Sequence, residues 1–297
     1  MPAPGLCATE EGIATFKFGR WIDATSPGEA KVTPSWHRLP APLPKCIVPK
    51  PCVNDLTVPS SLRQLRLDAL RGLAIIWMAC FHFSFDLNHF GWIRQDFYRD
   101  PFWTGQRTAI VSLFLLCAGM GQALAQHQGL SWSRFWRRWA QVAACAVLVS
   151  IGSWLMYPDS FISFGVLHGM AVMLLLLRVS GRAMSNRVCV LLGTVAIGLP
   201  QWVQHSFFDT RLTNWLGLVT HKPVTEDYVP VLPWLGVMLW GYALARWLLR
   251  ARPALLAGPV PAFLHPVAVL GRWSLSFYMV HQPVLIGLLM LIGTMRT

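Results

Sequence analysis

Residues 68–91 read DALRGLAIIWMACFHFSFDLNHFG. The stretch is apolar enough to enter a bilayer, yet it carries Asp68, Arg71, His82, Asp86 and His89. At about 100° per residue these five fall within roughly a 60° arc of one helical face. An ionisable side chain inside a membrane costs roughly 2.5 kcal/mol or more unless it faces protein or water, so one polar stripe on an apolar helix marks a functional site by default. The competing reading is a helix end at the interface whose histidines are satisfied by their neighbours.

The rest of the chain agrees with a membrane setting. Of 297 residues, 54% are hydrophobic and 13% charged, against about 25% charged in an ordinary soluble domain. The net charge of +12 would point to nucleic acid in a soluble protein, but here the basic residues stand between apolar runs and act as topology signals. The seven cysteines show no CxxC pair and no metal-ligand spacing, so neither a disulfide framework nor a metal site is expected. Residues 1–60 hold ten prolines and no long apolar run and read as a disordered tail. Residues 61–297 then form the membrane domain.

The expected fold is an all-α polytopic bundle of about seven spans, each near the ~20 apolar residues a bilayer requires. Their expected limits are 68–89, 106–126, 136–156, 163–178, 187–205, 231–250 and 271–293. Basic clusters alternate with poorer loops. Arg63, Arg66 and Arg71 open the first span, Arg134, Arg137 and Arg138 follow the second, Arg178, Arg182 and Arg187 follow the fourth, and Arg246, Arg250, Arg252 and Arg272 follow the sixth. The positive-inside rule therefore predicts a cytoplasmic N-terminus and an external C-terminus. For a bacterial chain that means the inner membrane.

With this orientation the stripe has a cytoplasmic basic end and an external histidine-carboxylate end. His82 lies about 16 Å along the helix axis from Arg71 at 1.5 Å per residue. Asp86, one turn beyond His82, is placed to hydrogen-bond the imidazole and stabilise its protonated form. An imidazole so held is a candidate general base for an acceptor hydroxyl or amine, or a nucleophile carrying an acyl group. His89 is the alternative centre nearer water. His168 on the fourth span, and Ser274, Tyr278 and His281 on the last, are candidate substrate-binding residues that could converge on a shared cavity; helix-to-helix hydrogen bonding is the plainer role for them. Gln282 precedes Pro283, which is expected to disturb the last helix and free carbonyls. Gly119 and Gly121 suit close helix approach. The segment EDYVPVLPWLG at residues 226–236 reads as an ordered external entry to the sixth span.

Several motifs resemble one family when taken together. RLDALRGLAIIWMACFHFSFDLNHFG, RTAIVSLFLLCAG, FWRRWAQ, LVSIGSWLMYPDSFISFGVLHGMAV, EDYVPVLPWLGV and GRWSLSFYMVHQPVLIG occur in the order seen in the heparan-alpha-glucosaminide N-acetyltransferase catalytic-domain family, over about residues 62–293. Arg71 followed ten residues later by His82 is also similar to the opening of the acyltransferase-3 membrane family. The resemblance implies acetyl transfer from cytosolic acetyl-CoA, or another acyl-CoA, to an amine or hydroxyl across the membrane. The acceptor would be an envelope glycan or glycolipid. Motif order in the first family points to His89 as the catalytic histidine, and the second family's pattern to His82. His82 stands first because Asp86 accompanies it and it lies deeper. Arg71 and Arg66 are the candidates for the cosubstrate's phosphates. The partners expected are membrane lipids and that acceptor, without nucleic acid; self-association into a homo-oligomer is left open. A solute or proton-coupled permease using the same stripe is the alternative function.

Overall fold

The computed structural model describes residues 64–294. Within them the chain forms nine α-helices and no strand: α1 (Leu65–His89), α2 (Pro101–His127), α3 (Trp132–Met156), α4 (Val166–Ser180), α5 (Asn186–Trp202), α6 (Val231–Ala251), α7 (Ala254–Ala257), α8 (His265–Arg272) and α9 (Ser274–Thr294). The expected tail at residues 1–60 lies outside the described residues.

The helix starts are written locally. Asp100 caps α2 by accepting the Phe102 N–H, with Pro101 at the first position where no amide is needed. Ser131 caps α3 through the Arg134 N–H and Ser185 caps α5 through the Val188 N–H. A helix occupies each of the seven expected span positions. Five of them, α1, α2, α3, α6 and α9, are long and apolar enough to cross a membrane. α4 and α5, with 15 and 17 residues, are shorter than the ~20 residues that a full crossing takes.

The last span differs in two details from the one expected. The span does not begin at residue 271: the chain before it folds as the separate helix α8, closed by Trp273, and α9 starts at Ser274. The helix also runs unbroken through Pro283. A proline forfeits one backbone hydrogen bond, and in a membrane helix neighbouring groups can satisfy the freed carbonyl.

α2 and α6 form the centre of the bundle, and α3 and α9 leave most of their apolar surface free of protein contact. Val147, Leu148, Ile151 and Leu155 of α3 and Val284 and Leu288 of α9 are exposed. In a bilayer such faces meet acyl chains as apolar as themselves, so helix association has to come from close packing. Glycines supply it. A Cβ at Gly119 of α2 would strike the Met238 carbonyl of α6, and one at Gly241 of α6 would strike the Leu116 carbonyl of α2. The same reciprocal seating joins α1 to α8, where Gly72 meets the Val267 carbonyl and Gly271 meets that of Asp68. Gly121 serves differently, leaving room for the Arg71 guanidinium.

A second apolar cluster positions the polar stripe. Met78 and Phe81 of α1, Phe97 of the following loop and Ile110 of α2 are buried together, with Trp103, Phe277 and Tyr278 against them. The Phe97 and Trp103 rings stack at 4.1 Å, and Phe81 meets Phe97 edge-on at 5.7 Å. This aromatic wall fixes one side of α1 and sets α9 beside it.

Candidate active site

α1 and α9 pack side by side and share two polar contacts. The first joins His82 to His281, whose ring centroids are 5.2 Å apart and tilted by 59°. The second joins Asp86 to Gln282, with the amide Nε2 donating to Oδ1 at 2.7 Å. His82 and Asp86 are one turn apart on α1, while His281 and Gln282 are consecutive on α9, so the pairs form adjacent rungs. Asp86 and His281 are buried, and His82 is half-buried.

The state of His281 follows from its contacts. Its Nδ1 lies 2.7 Å from the Tyr278 carbonyl oxygen. A carbonyl can only accept, so Nδ1 carries the proton and Nε2 of the neutral ring carries a lone pair. That Nε2 is buried and has no hydrogen-bond partner among the described residues. Phe277 stacks on the ring with centroids 6.0 Å apart and planes 8° from parallel, which holds its orientation. The result is an oriented imidazole base beside a second imidazole.

Asp86 departs from its expected place. Its bonded oxygen faces Gln282, and Oδ2 is buried without a partner among the described residues; the carboxylate therefore does not orient His82. Spacing along α1 alone carries no information about the α9 group that faces this carboxylate. Gln282 was visible in the sequence only as the residue before Pro283. A second uncharged polar group next to a mid-span histidine is the signal that could have marked it.

The other candidates are distributed along the bundle. His89, the last residue of α1, is exposed and meets Tyr157 edge-on at 6.4 Å. Tyr278 supplies the carbonyl that fixes His281 and borders the aromatic cluster. Ser274 is half-buried and stands about 10 Å from His281 along the α9 axis at 1.5 Å per residue, too far to share the same contact. His168 is committed elsewhere. Its Nδ1 accepts the Gly165 N–H at 3.3 Å, so Nε2 bears the proton and donates to Ser150 Oγ at 3.2 Å, which in turn donates to the Ile162 carbonyl at 2.6 Å. His168 fixes the start of α4 against α3.

Both arginine candidates are engaged by protein groups. Arg71 pairs with Asp68 at 3.2 Å and reaches the Cys117 carbonyl at 3.5 Å. Arg66 donates to the carbonyls of Ala254, Leu255 and Pro259, holding the segment that contains α7. Among the described residues no group of three or more His, Cys, Asp or Glu side chains could hold a metal ion.

Charged groups gather at the His89 end. Asp227 Oδ2 accepts the Val166 N–H at 2.7 Å. Burial holds the Asp227 carboxyl above its ordinary range, opposed by that N–H and by Lys222 and Arg107. Burial lowers the Lys222 ammonium, helped by Arg107 and resisted by Asp227 and Glu226. Glu226 Oε1 accepts from Ser160 Oγ at 2.6 Å, and Lys222 lies 6.0 Å from the Tyr98 ring centre. The Tyr157 hydroxyl is pushed up by burial, Glu226 and Asp86. Residues 226–230 lead into α6, which starts at Val231 with Pro230 before it.

A family model described as heparan-alpha-glucosaminide N-acetyltransferase, catalytic, matches residues 63–283. The chain belongs to that family. No curated protein and no solved structure compared with it matches. The heparan-alpha-glucosaminide N-acetyltransferase match begins just before α1 and ends at Pro283, so it contains both rungs between α1 and α9. With its apolar spanning helices, membership makes the chain an integral membrane protein of an acetyltransferase family.

Proposed function

We propose that the protein transfers an acetyl or similar acyl group from a cytosolic acyl-CoA to an amine or hydroxyl of an envelope glycan or glycolipid. The Arg71 end of the bundle faces the cytoplasm and the His89 end faces outward, following the distribution of basic residues. For a bacterial chain the site lies in the inner membrane.

The buried, unpartnered Nε2 of His281 beside the His82 ring supports this reading best. As the acceptor nitrogen or oxygen bonds to the acyl carbon, His281 Nε2 takes its proton and the carbon–sulfur bond breaks, releasing the thiolate. His82 adjoins the same space as a second imidazole, able to hold the acceptor or to return a proton to the leaving sulfur. Phe81, Phe97 and Trp103 keep water from that side, which limits hydrolysis of the donor. Asp227, Glu226, Lys222 and Arg107 form the polar approach for an acceptor arriving from outside.

The test uses full-length protein in nanodiscs with radiolabelled acetyl-CoA and amino-sugar acceptors. Acylated acceptor is expected from the wild type, with strong loss in His281→Asn and His82→Ala. Turnover undiminished in both variants would overturn the assignment. Solute uptake into vesicles without acyl-CoA turnover would put a permease in its place.

A further inference from the structure

We propose that a cavity at the arginine end of the bundle, remote from His82 and His281, binds the phosphate esters of the nucleotide-bearing cosubstrate; this rests on the acyl-CoA reading above. The cavity measures about 260 Å³ and is walled by Gln126 and His127 of α2, Arg182 between α4 and α5, and Tyr242, Arg246 and Arg250 of α6. Three guanidinium groups line it, and no carboxylate does.

These charges are uncompensated. Among the described residues the ion pairs are Arg71 with Asp68 and His221 with Asp209, so none of the three arginines has an acidic partner. Arg246 is steadied by donating to the Gly181 and Met184 carbonyls at 3.3 and 2.6 Å, and Arg182 by donating to the Gln126 carbonyl at 3.1 Å. Each guanidinium carries five N–H donors, so most remain for a ligand. Arg250 follows Arg246 by one helical turn on the same face and has no side-chain hydrogen bond to a described residue. The floor is rigid: Tyr242 donates to Gln126 Oε1 at 2.6 Å, and Gln126 Nε2 donates to the Leu177 carbonyl at 3.2 Å.

Clustered like charges repel one another unless an anion answers them, and planar guanidinium forks match phosphate oxygens two at a time. The cavity lies between α2 and α6, the most enclosed of the spanning helices, and not on the lipid-facing surfaces of α3 and α9. That position favours a soluble nucleotide over a lipid headgroup. Arg71 is neutralised by Asp68 and Arg66 holds the α7 segment, as described above, whereas this cavity brings together three guanidinium groups with no acidic partner. Gln126 lies about 24 Å along α2 from Ile110 at 1.5 Å per residue, and Ile110 packs in the same aromatic cluster as Phe81. The donor's arm must therefore run extended through the bundle to reach His82.

The experiment compares wild type with Arg182→Gln and Arg250→Gln, both exposed positions, in phosphatidylcholine nanodiscs. Equilibrium dialysis measures binding of adenosine 3′,5′-bisphosphate, and kinetics measure KM for acetyl-CoA and for acetyl-pantetheine, which lacks phosphates. The expected result is nucleotide affinity weakened at least tenfold in each variant, KM for acetyl-CoA raised to match, and acetyl-pantetheine turnover unchanged. Unchanged nucleotide affinity in both variants overturns the proposal. So does native mass spectrometry showing retained phosphatidylglycerol that the variants lose, with KM unaltered, since that marks a lipid headgroup site. Nucleotide binding that depends on Arg182 and Arg250 in a protein without acyl turnover keeps this site and discards the acyltransferase reading.

Discussion

His82 of α1 and His281 of α9 face each other with ring centroids 5.2 Å apart, and the only buried ring nitrogen without a partner among the described residues belongs to His281. The bond from His281 Nδ1 to the Tyr278 carbonyl fixes which nitrogen is the base. His281→Asn removes that base, and acyl turnover should fall about 10²–10⁴-fold, the usual contribution of one positioned acid-base group. His82→Ala should fall within the same range. His89→Ala, altering an exposed ring, should change the initial rate by less than about tenfold on the same scale. Initial rates with labelled acetyl-CoA decide the order.

The Asp86–Gln282 bond predicts an asymmetric response to mutation. Gln282→Leu strands a buried carboxylate, and thermal unfolding in detergent should show a loss of about 1–3 kcal/mol. Adding Asp86→Leu removes the stranded group, so the double variant should be more stable than Gln282→Leu alone. A double-mutant cycle with additive effects would show that the two residues do not interact.

Gly119 and Gly121 sit two residues apart on α2 and should answer differently to alanine. At Gly119 the new methyl meets the Met238 backbone carbonyl of α6, which cannot step aside; at Gly121 it meets the far end of the long Arg71 side chain, which can shift by rotation about its χ angles. Gly119→Ala should destabilise by at least the 1–3 kcal/mol typical of overpacking, and Gly121→Ala by less. Melting temperatures in one detergent compare them directly.

The elevated Asp227 pKa gives a signed pH dependence. Its folded value lies above the ordinary 3.8, so the native state holds more protons than the unfolded chain between those two values. The stability tied to protonated Asp227 is therefore full below about 3.8 and is lost as pH rises through the folded value. Asp227→Asn cannot ionise and keeps an oxygen for the Val166 N–H. The melting temperature of wild type minus that of Asp227→Asn should fall with rising pH across this window; a flat difference would contradict the burial argument.

Much of the fold was legible because the sequence pattern records what each helix does by itself. Apolar length placed a helix at all seven expected positions, and the 100° spacing put His82 and Asp86 on one face. Partners across helices were not legible. Asp86 was assigned to His82, its neighbour one turn away, because spacing along α1 carries no information about Gln282 on α9. His168 looked like a site residue at the right depth, while its ring fastens α4 to α3. α8 was missed because eight residues are too few to show against the longer apolar run that follows. Arg182, Arg246 and Arg250 were read as orientation signals, a role that does not register which arginines share one cavity.

The seating of His82 against His281 also carries a consequence for biosynthesis. One ring comes from the first spanning helix described and the other from the last, so a nascent chain emerging from the ribosome holds only half of the pair until α9 has entered the bilayer. On the proposed function, partly synthesised or prematurely terminated chains lack the paired site, which is complete only once the bundle around it is in place.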